Sequence, residues 1–188
     1  MTGYKDKDKR RLIGRNIAND KRRIILNQAV YGYVETMFNK YVSKENIDKR
    51  PIDVLDIGSL DMNGTTKEIF KDCRYTGVDI TNGKNVDLVV NAHKMPFYNN
   101  QFDCVVCVEM LEHDTDPAQT FEEIYRVLKV GGVAIISARS IGCPLHCEPR
   151  DYFRITKYGL EMLLRRISGE YQVIEHGKGV FGWCIKHE

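Results

Sequence analysis

Apolar residues after residue 23 fall into seven short runs rich in Val and Ile, separated by polar or amphipathic stretches. Several runs are apolar at successive positions instead of alternating, which is typical of strands buried on both faces of a largely parallel sheet. We therefore predict seven strands. They are Ile52–Ile57, Tyr75–Ile80, Val86–Val90, Phe102–Met110, Val133–Ala138, Tyr171–Glu175 and Val180–Lys186.

The stretch from residue 24 to residue 42 predicts a helix of about five turns. Its apolar residues recur at steps of three and four positions, so they form one stripe along the helix. The stripe consists of Ile25, Ala29, Val30, Tyr33, Val34, Met37, Phe38 and Tyr41. We expect this stripe to cover one face of the core.

Two further helices are predicted from capping residues at their starts. Thr65 with Glu68 forms a capping box, in which a hydroxyl and a carboxylate satisfy the first backbone amides of a helix. Asp116 combines an N-cap with Pro117 at the first helical position and with Gln119 as a reciprocal partner.

Glycines predict where helices end. Gly131-Gly132 would stop the helix that begins after Asp116, just before the next strand. A third helix is predicted to begin at Thr156 and to end near Ser168-Gly169.

Strands that alternate with helices predict an α/β domain with a doubly wound, mostly parallel seven-stranded sheet, because right-handed crossovers favour that arrangement. One connection departs from the pattern. The segment between Ile80 and Val86 is too short for a crossover helix, which with its loops needs a dozen or more residues. Either the strand at 86–90 is a short edge piece, or a crossover helix common in such folds is deleted.

The chain of 188 residues, 43% of them hydrophobic, predicts a single domain over 24–188. Residues 1–23 lack apolar periodicity and predict a basic flexible arm. They carry nine Lys and Arg against three Asp, whereas the rest of the chain carries 19 basic against 23 acidic residues. The arm could contact RNA, but the mildly acidic domain argues against a broad nucleic-acid surface.

No apolar run approaches the roughly 18 residues that a membrane span requires, and no secretory signal follows the basic start. Six cysteines without the dense spacing of a disulfide scaffold predict reduced thiols. We therefore expect a soluble cytoplasmic protein without membrane contact. Cys104 and Cys107 fall within one predicted strand, where a three-residue offset points them to opposite faces as core thiols.

Polar and glycine residues follow four of the predicted strands. Gly58 follows the first strand, Asp79 ends the second, Asn91 follows the third and Glu109 lies at the end of the fourth. In an open parallel sheet the ligand binds at the carboxyl ends of the strands, near the point where the strand order reverses. Asp79 lies 21 residues after Gly58, where a carboxylate can accept both hydroxyls of a ribose.

From Val54 to Ala138 the chain resembles a class I S-adenosylmethionine-dependent methyltransferase of the type 11-like group. The resemblance rests on NAHKMPFYNNQFDCVVCVEMLEH at 91–113 and FEEIYRVLKVGG at 121–132. The segment DYFRIT at 151–156 also resembles a segment of some members. The resemblance implies a Rossmann-like methyltransferase fold, with S-adenosyl-L-methionine as cofactor and methyl transfer as the activity.

The resemblance also implies residue roles. Asp56 and Gly58 would flank the methionine part of the cofactor, Asp79 would hold the ribose, and Asn91 with Ala92 would meet the adenine edge. The full set of expected cofactor-binding residues is Asp56, Gly58, Ser59, Leu60, Asp79, Ile80, Asn91, Ala92, His93, Glu109 and Met110.

Two features depart from the family pattern. The usual glycine-rich turn is Gly-x-Gly-x-Gly, whereas Leu60 and Asp61 interrupt it here and Gly64 comes late. The adenine-edge residue is commonly Asp and here is Asn91, whose amide can face the ligand in either orientation.

A nicotinamide-dependent oxidoreductase is the nearest alternative enzyme, because it shares the ribose carboxylate. Its compact Gly-x-Gly-x-x-Gly turn presses a pyrophosphate against a helix N-terminus, and this loop lacks that spacing. S-adenosylmethionine has no phosphate, so a looser loop with Asp56 and Asp61 is compatible with its cationic groups.

Methyl transfer is an in-line displacement that depends mainly on alignment and desolvation. A protonated oxygen or nitrogen acceptor also needs a proton acceptor, for which His113 and His146 are the candidate catalytic residues. For both histidines, a structural or substrate-orienting role competes with the role of general base and is favoured over it. Tyr152, Phe153 and Arg154 would either line an acceptor pocket or pack the final helix.

A metal is not expected, because Cys143, His146 and Cys147 with His113 or His176 have irregular spacing and no evident fourth ligand. The predicted function is methyl transfer to an oxygen or nitrogen of a small or medium-sized acceptor. The alternatives are a protein that binds S-adenosylmethionine without catalysis and an RNA methyltransferase that uses the arm. Monomer and homodimer are both left open.

Overall fold

The computed structural model describes residues 28–42, 50–62, 64–145 and 150–188. The predicted arm 1–23, the first turn of the predicted first helix and His146 lie outside the described residues. Within the described ranges, no helix combines the length and apolar character that crossing a bilayer requires.

Seven strands form one sheet, as predicted. They are β1 (Asp53–Ile57), β2 (Arg74–Asp79), β3 (Leu88–Val89), β4 (Phe102–Val108), β5 (Leu128–Arg139), β6 (Tyr171–His176) and β7 (Gly179–Ile185). Their order is β3-β2-β1-β4-β5-β7-β6, and β7 alone runs antiparallel, between β5 and β6. The four neighbouring pairs β3–β2, β2–β1, β1–β4 and β4–β5 are parallel, which confirms the mostly parallel sheet.

Helices cover both faces of the sheet, so the doubly wound arrangement is confirmed. The helix at residues 28–41, α1, packs Val30, Val34 and Phe38 against one face, as its apolar stripe predicts. The helices α2 (Pro117–Val127) and α3 (Lys157–Leu164) cover the other face. Cys104 lies in the core of the first face and Cys107 in that of the second, which confirms their opposite directions.

The predicted start of α2 is confirmed, but its predicted end is wrong. The Asp116 side chain accepts a hydrogen bond from the amide of Gln119, with proline at the first position. The helix ends at Val127, and Gly131-Gly132 lies inside β5. A glycine is not needed there, because Lys186 Nζ donates to the carbonyl oxygens of Tyr125 at 2.7 Å and Leu128 at 2.9 Å.

The start of α3 is also confirmed, since Thr156 Oγ1 accepts from the amide of Gly159 at 3.1 Å. The helix proper stops at Leu164, and a turn continues to residue 167, before the predicted end at Ser168-Gly169.

The helix predicted from the capping box at Thr65 is wrong. Only a single 3₁₀ turn forms at Lys67–Phe70, and Thr65 Oγ1 accepts from the amide of Lys67 instead of that of Glu68. The chain has no room for more turns, because the amide of Arg74 already donates to the carbonyl of Ile52 to begin β2.

The short connection after Ile80 is explained by a short edge strand. β3 has two residues and lies at the edge of the sheet, and no helix occurs between β2 and β3. The predicted strand at 86–90 is therefore shorter than expected. The carboxylate of Asp87 accepts from the amide of Gly77 at 2.8 Å, which ties this segment to β2 by a side chain as well as by the ladder.

A charge cluster joins β1, β4 and β5 at their amino ends, opposite the predicted ligand edge. Arg50 donates two hydrogen bonds to the carboxylate of Asp103, at 3.0 and 2.6 Å. Lys129 Nζ lies 3.0 Å from Asp103 and 3.2 Å from Asp53. Burial raises the pKa of Asp103, but the hydrogen bond from Arg50 and its other donors outweigh it, so the net pKa is lowered.

We expect Asp103→Asn to lower the free energy of unfolding by about 1 to 2 kcal/mol at neutral pH, because it breaks a half-exposed bidentate pair. The folded pKa of Asp103 is depressed, so its stabilisation is present above the ordinary Asp pKa of about 4 and is lost as the pH falls through the folded value. Urea unfolding at neutral and acidic pH measures both effects. Glu175→Gln, at an exposed position of β6, is the control, and equal losses in the two variants would contradict the assignment.

Candidate functional site

The carboxyl ends of β2, β1 and β4 lie side by side at one edge of the sheet, where the strand order reverses between β1 and β4. The structure therefore brings Gly58, Asp79 and Glu109 to a common edge, as the sequence predicts. Asn91 follows β3 at the same edge, one strand further out.

Gly58 brings the chain after β1 into close contact with the chain after β4. Its φ angle is +82°, and a Cβ atom at this position would lie 2.7 Å from Met110 Cγ. A side chain at residue 58 would therefore be strained by its backbone and would collide with Met110.

The loop after β1 satisfies its own amides. The amides of Gly58 and Ser59 both donate to the carbonyl of Val78, at 2.8 and 3.0 Å. The amide of Leu60 donates to Asp79 Oδ2 at 3.4 Å, and the amide of Asp61 donates to the carbonyl of Lys84 at 3.2 Å. A pyrophosphate site needs amides that point at the ligand, so these described amides argue against a dinucleotide.

The segment after β2 holds this loop in place. Lys84 Nζ lies 2.7 Å from Asp61 Oδ2, and the hydrogen bond from Lys84 lowers the pKa of Asp61. A Cβ atom on Gly83 would lie 2.3 Å from Leu60 Cδ1, so Leu60 packs directly over that glycine. Leu60 and Asp61 interrupt the family's glycine-rich turn, and each of them contacts a residue of the segment after β2.

The carboxylate of Asp79 retains capacity for a ligand. Its Oδ1 accepts from the amide of Thr81 at 2.8 Å and its Oδ2 from Leu60. A carboxylate offers about four acceptor positions, so the two that are left match a pair of ribose hydroxyls. Ile80 beside it is 72% exposed and presents an apolar side chain at the same edge.

Asp56 lies beneath the edge. Its side chain is 3% exposed, and the hydroxyl of Tyr75 donates to its Oδ2 at 2.8 Å. Burial raises the pKa of Asp56 to about 6, against the opposing effect of the hydrogen bond from Tyr75. This hydrogen bond ties the carboxylate to β2, and its predicted position beside the methionine part of the cofactor stays a prediction.

The turn after β3 has a defined amide orientation. Asn91 Oδ1 accepts from the amide of His93 at 2.8 Å, and only an oxygen can accept there, so Nδ2 is the atom left to donate outward. His93 Nε2 lies 2.6 Å from Asp114 Oδ1, and Thr120 Oγ1 donates to Asp114 Oδ2 at 2.6 Å. His93 therefore ties the turn of Asn91 and Ala92 to the start of α2.

Glu109 and Glu112 share one arginine at the carboxyl ends of β4 and β5. Arg139 Nε lies 3.3 Å from Glu109 Oε2 and 3.4 Å from Glu112 Oε1. Ser137 Oγ donates to Glu109 Oε1 at 3.2 Å. Burial raises the pKa of both carboxyls, and the neighbouring Glu112 raises that of Glu109 further.

Sequence reasoning did not identify Glu112, Ser137 and Arg139 as site residues. The available signal was polarity next to an apolar run, since Ser137 and Arg139 lie on one face at the carboxyl end of the stretch that begins with the apolar residues Val133–Ile136. A buried serine and a half-buried arginine at that place indicate polar partners across the strand.

The segment at 150–154 closes over the 3₁₀ turn Leu111–His113. The amides of Tyr152 and Phe153 donate to the carbonyl of Glu112, at 2.7 and 3.2 Å. His113 Nδ1 lies 3.0 Å from the carbonyl oxygen of Arg150, and a carbonyl only accepts, so Nδ1 carries a proton.

Arg154 has a structural role in this segment. Its guanidinium donates to Asp151 and to the carbonyl oxygens of Cys143 and Pro144, so it fastens the loop after β5. Tyr152 and Phe153 are exposed, as are Ile141 and Leu145, at 73% and 75% exposure. We call these four residues, Ile141, Leu145, Tyr152 and Phe153, the apolar rim.

No group of three or more His, Cys, Asp and Glu side chains in the described part of the chain has a geometry that would hold a metal ion. His146 and Cys147, two of the considered ligands, fall outside that part.

Residues 55–136 match the family model described as "Methyltransferase domain". Cycloartenol-C-24-methyltransferase 1 of Oryza sativa subsp. japonica is 36% identical over 96 residues, covering 42% of this chain and 28% of that protein. Ubiquinone biosynthesis O-methyltransferase of Pseudomonas entomophila (strain L48) is 32% identical over 92 residues, covering 49% and 35%. The chain thus spans about a third or less of the length of these curated relatives.

Solved structures show the same fold at low identity. The YcgJ protein of Bacillus subtilis superposes with a TM-score of 0.65 at 15% identity, covering 86% of this chain and 99% of that one. The 1,6-didemethyltoxoflavin-N1-methyltransferase of Burkholderia thailandensis, solved with bound 1,6-didemethyltoxoflavin and S-adenosylhomocysteine, has a TM-score of 0.64 at 17% identity, covering 100% of this chain and 92% of that one.

The solved structures confirm the Rossmann-like methyltransferase fold, and the match over residues 55–136 agrees with the resemblance noted in the sequence. The family match runs from β1 into β5 and includes the carboxyl ends of β1, β2, β3 and β4, whereas Ser137 and Arg139 lie just beyond it. Together they support S-adenosylmethionine as the cofactor and methyl transfer as the chemistry.

Gly58→Ala and Gly131→Ala form a matched pair that tests the close approach at the site. Both glycines have positive φ, +82° and +78°, but only residue 58 has a neighbour within 4 Å of an added Cβ. We expect Gly131→Ala to lower the free energy of unfolding by about 1 kcal/mol through backbone strain alone. Gly58→Ala should cost about 2 to 4 kcal/mol because overpacking against Met110 adds to it.

Chemical denaturation measures both losses, and calorimetry with S-adenosylhomocysteine measures binding in each variant that folds. Only Gly58→Ala should also weaken binding. Equal losses of stability with unchanged binding would show that the contact of residue 58 with Met110 does not shape the site.

Proposed function

From this fold and domain match, we propose that the chain transfers a methyl group from S-adenosylmethionine to an oxygen or nitrogen of a small or medium-sized acceptor. The observation that carries the proposal is the meeting of Gly58, Asp79 and Glu109 at the switch point of the sheet. The family match over residues 55–136 supports it.

The described residues fit the cofactor through their chemistry. Asp79 would accept the ribose hydroxyls, and Asn91 would donate from Nδ2 to the adenine edge beside Ala92 and Ile80. Further expected contacts come from Ser59, Leu60 and Met110, which border Gly58. The bound cofactor supplies a methyl group on a sulfonium, and the chain's own residues orient it, exclude water and handle the acceptor's proton.

The apolar rim supports an acceptor that carries an apolar part. Tyr152 and Phe153 are exposed next to the turn of Glu112 and His113, because their amides bond to the carbonyl of Glu112. Ile141 and Leu145 are exposed in the loop after β5, which Arg154 joins to the same segment. The Pseudomonas relative is named for an O-methyl transfer, which agrees with an oxygen acceptor.

His113 stays our candidate for proton handling among the described residues. Its Nδ1 donates to the carbonyl of Arg150, which fixes the orientation of the ring at the turn after β4. The same hydrogen bond also orients the segment that carries Tyr152 and Phe153, so a substrate-orienting role fits the geometry equally. His146 is retained as the second candidate from the sequence.

Experiment decides between this function and two alternatives. A chain that binds S-adenosylmethionine without catalysis would keep the same cofactor edge. An RNA methyltransferase would need the basic arm at 1–23, and the described domain offers it no observation in support. Cytoplasmic location, and a monomeric or homodimeric state, stay predictions from the sequence.

Calorimetry on the full chain should show binding of S-adenosylmethionine and S-adenosylhomocysteine but not of NADH. Asp79→Asn should weaken both ligands at least about tenfold, because the side-chain NH2 group can only donate where a charged carboxylate oxygen would accept from a ribose hydroxyl. Glu175→Gln, on the far edge strand, should bind as the unchanged chain does.

Turnover of S-adenosylmethionine is then measured over a panel of phenols, amines, sugars and RNA. We expect turnover with apolar phenols or amines. Binding without turnover would favour the non-catalytic alternative. Turnover with RNA alone would favour an RNA methyltransferase that uses the basic arm. Binding of NADH without binding of S-adenosylmethionine would overturn the proposal.

A further inference from the structure

Glu109 and Glu112 are two carboxylates that lie next to one guanidinium, that of Arg139. Glu109 and Glu112 both lie within ion-pair distance of Arg139, and no other arginine or lysine of the described residues comes that close to either carboxylate. The nearby Arg154 is committed to Asp151 and to three backbone carbonyls. Two carboxylates therefore share a single guanidinium N–H.

Two buried acceptors in this group lack a hydrogen bond. Glu109 Oε2 and Glu112 Oε1 are buried without a hydrogen-bond partner among the described residues, although Arg139 Nε lies 3.3 and 3.4 Å away. Glu112 is fully buried, so its carboxylate cannot turn to solvent to complete its bonding. Buried acceptors of this kind are costly unless a ligand completes them.

The backbone holds Glu109 in a conformation that costs free energy. Its φ angle is +52°, in the left-handed region that a glutamate rarely adopts. Strain of this kind persists where the surrounding structure enforces it, and it is common at functional sites. Here it occurs between the last residue of β4 and Met110, which contacts Gly58.

We propose that the Glu109 carboxylate faces the sulfonium group of the bound cofactor and makes the chain prefer the cationic S-adenosylmethionine over its neutral product. The proposal rests on the proposed function and assigns to Glu109 a role beyond general cofactor contact. The sulfonium would supply the positive charge that Arg139 alone does not. The product, S-adenosylhomocysteine, carries no sulfonium and would be held less tightly, which favours its release.

The charge on Glu109 should vary near neutral pH. Burial raises its pKa from the usual value to about 7, with Glu112 raising it further and Arg139, Ser137 and His113 acting in the opposite direction. The groups that face Glu109 are therefore Glu112 and His113 from the 3₁₀ turn and Ser137 and Arg139 from β5. As the pH rises through this range, the carboxylate ionises and its preference for a cation should increase.

The test compares two ligands that differ only in the methylsulfonium. Calorimetry on the full chain measures the dissociation constants of S-adenosylmethionine and S-adenosylhomocysteine at about pH 6, 7 and 8. Both ligands carry the same amino and carboxyl groups, so the ratio of their affinities isolates the sulfonium charge. We expect the preference for S-adenosylmethionine to rise about fivefold over this range if ionised Glu109 favours the sulfonium tenfold.

Glu109→Gln keeps the size and backbone of the residue and removes its charge, so the preference should become smaller and independent of pH. Glu175→Gln should leave the rise unchanged. Glu112→Gln should keep the rise but move its midpoint to lower pH, because a like charge next to Glu109 is lost.

The profile of the unchanged chain is decisive even if a variant fails to fold. A ratio that does not change with pH, or a rise that persists in folded Glu109→Gln, would overturn the role of Glu109 while leaving the proposed function intact. Absence of binding by both ligands at every pH would overturn the proposed function itself.

Discussion

The close approach of Gly58 to Met110 is the constraint on which the candidate site depends. It sets how far the chain after β1 stands from the chain after β4, and these two strands flank the point where the sheet order reverses. Only a residue without a side chain allows that spacing at positive φ. Because Met110 follows Glu109 directly, the same contact also fixes where the strained glutamate lies relative to the loop that would receive the cofactor.

The hydrogen bonds of this loop explain why it departs from the glycine-rich turn of its relatives. A loop that cradles a phosphate must keep its amides for the ligand, whereas this one uses the amides of Gly58, Ser59 and Leu60 within the chain. Recognition is then left to side chains, above all the carboxylate of Asp79. A nucleoside without phosphate, held by its ribose, suits that distribution of donors and acceptors.

Much of the architecture could be predicted because it depends on patterns within single segments. The seven apolar runs, the stripe of α1 and the caps at Asp116 and Thr156 each carry their own signal. The errors came where a distant residue decides the outcome. Lys186 ends α2 without a glycine, and the early start of β2 at Arg74 leaves the Thr65 segment one turn long.

In the candidate site, too, the residues with a local sequence signal could be predicted and the contacts between distant residues could not. Strand ends predicted Gly58, Asp79, Asn91 and Glu109, since parallel strands bring such positions to one edge. The pairing of His93 with Asp114 and the sharing of Arg139 by two glutamates are tertiary contacts that no spacing in the sequence reveals.

Lys186 has a consequence for how the domain assembles. Its ammonium group sits against a helix that precedes it by about sixty positions, so α2 obtains its carboxyl-terminal cap only when β7 has inserted between β5 and β6. The last turn of α2 and the insertion of β7 into the sheet therefore form in one cooperative step. An intermediate with the parallel strands formed and β7 still undocked would carry α2 with a frayed last turn.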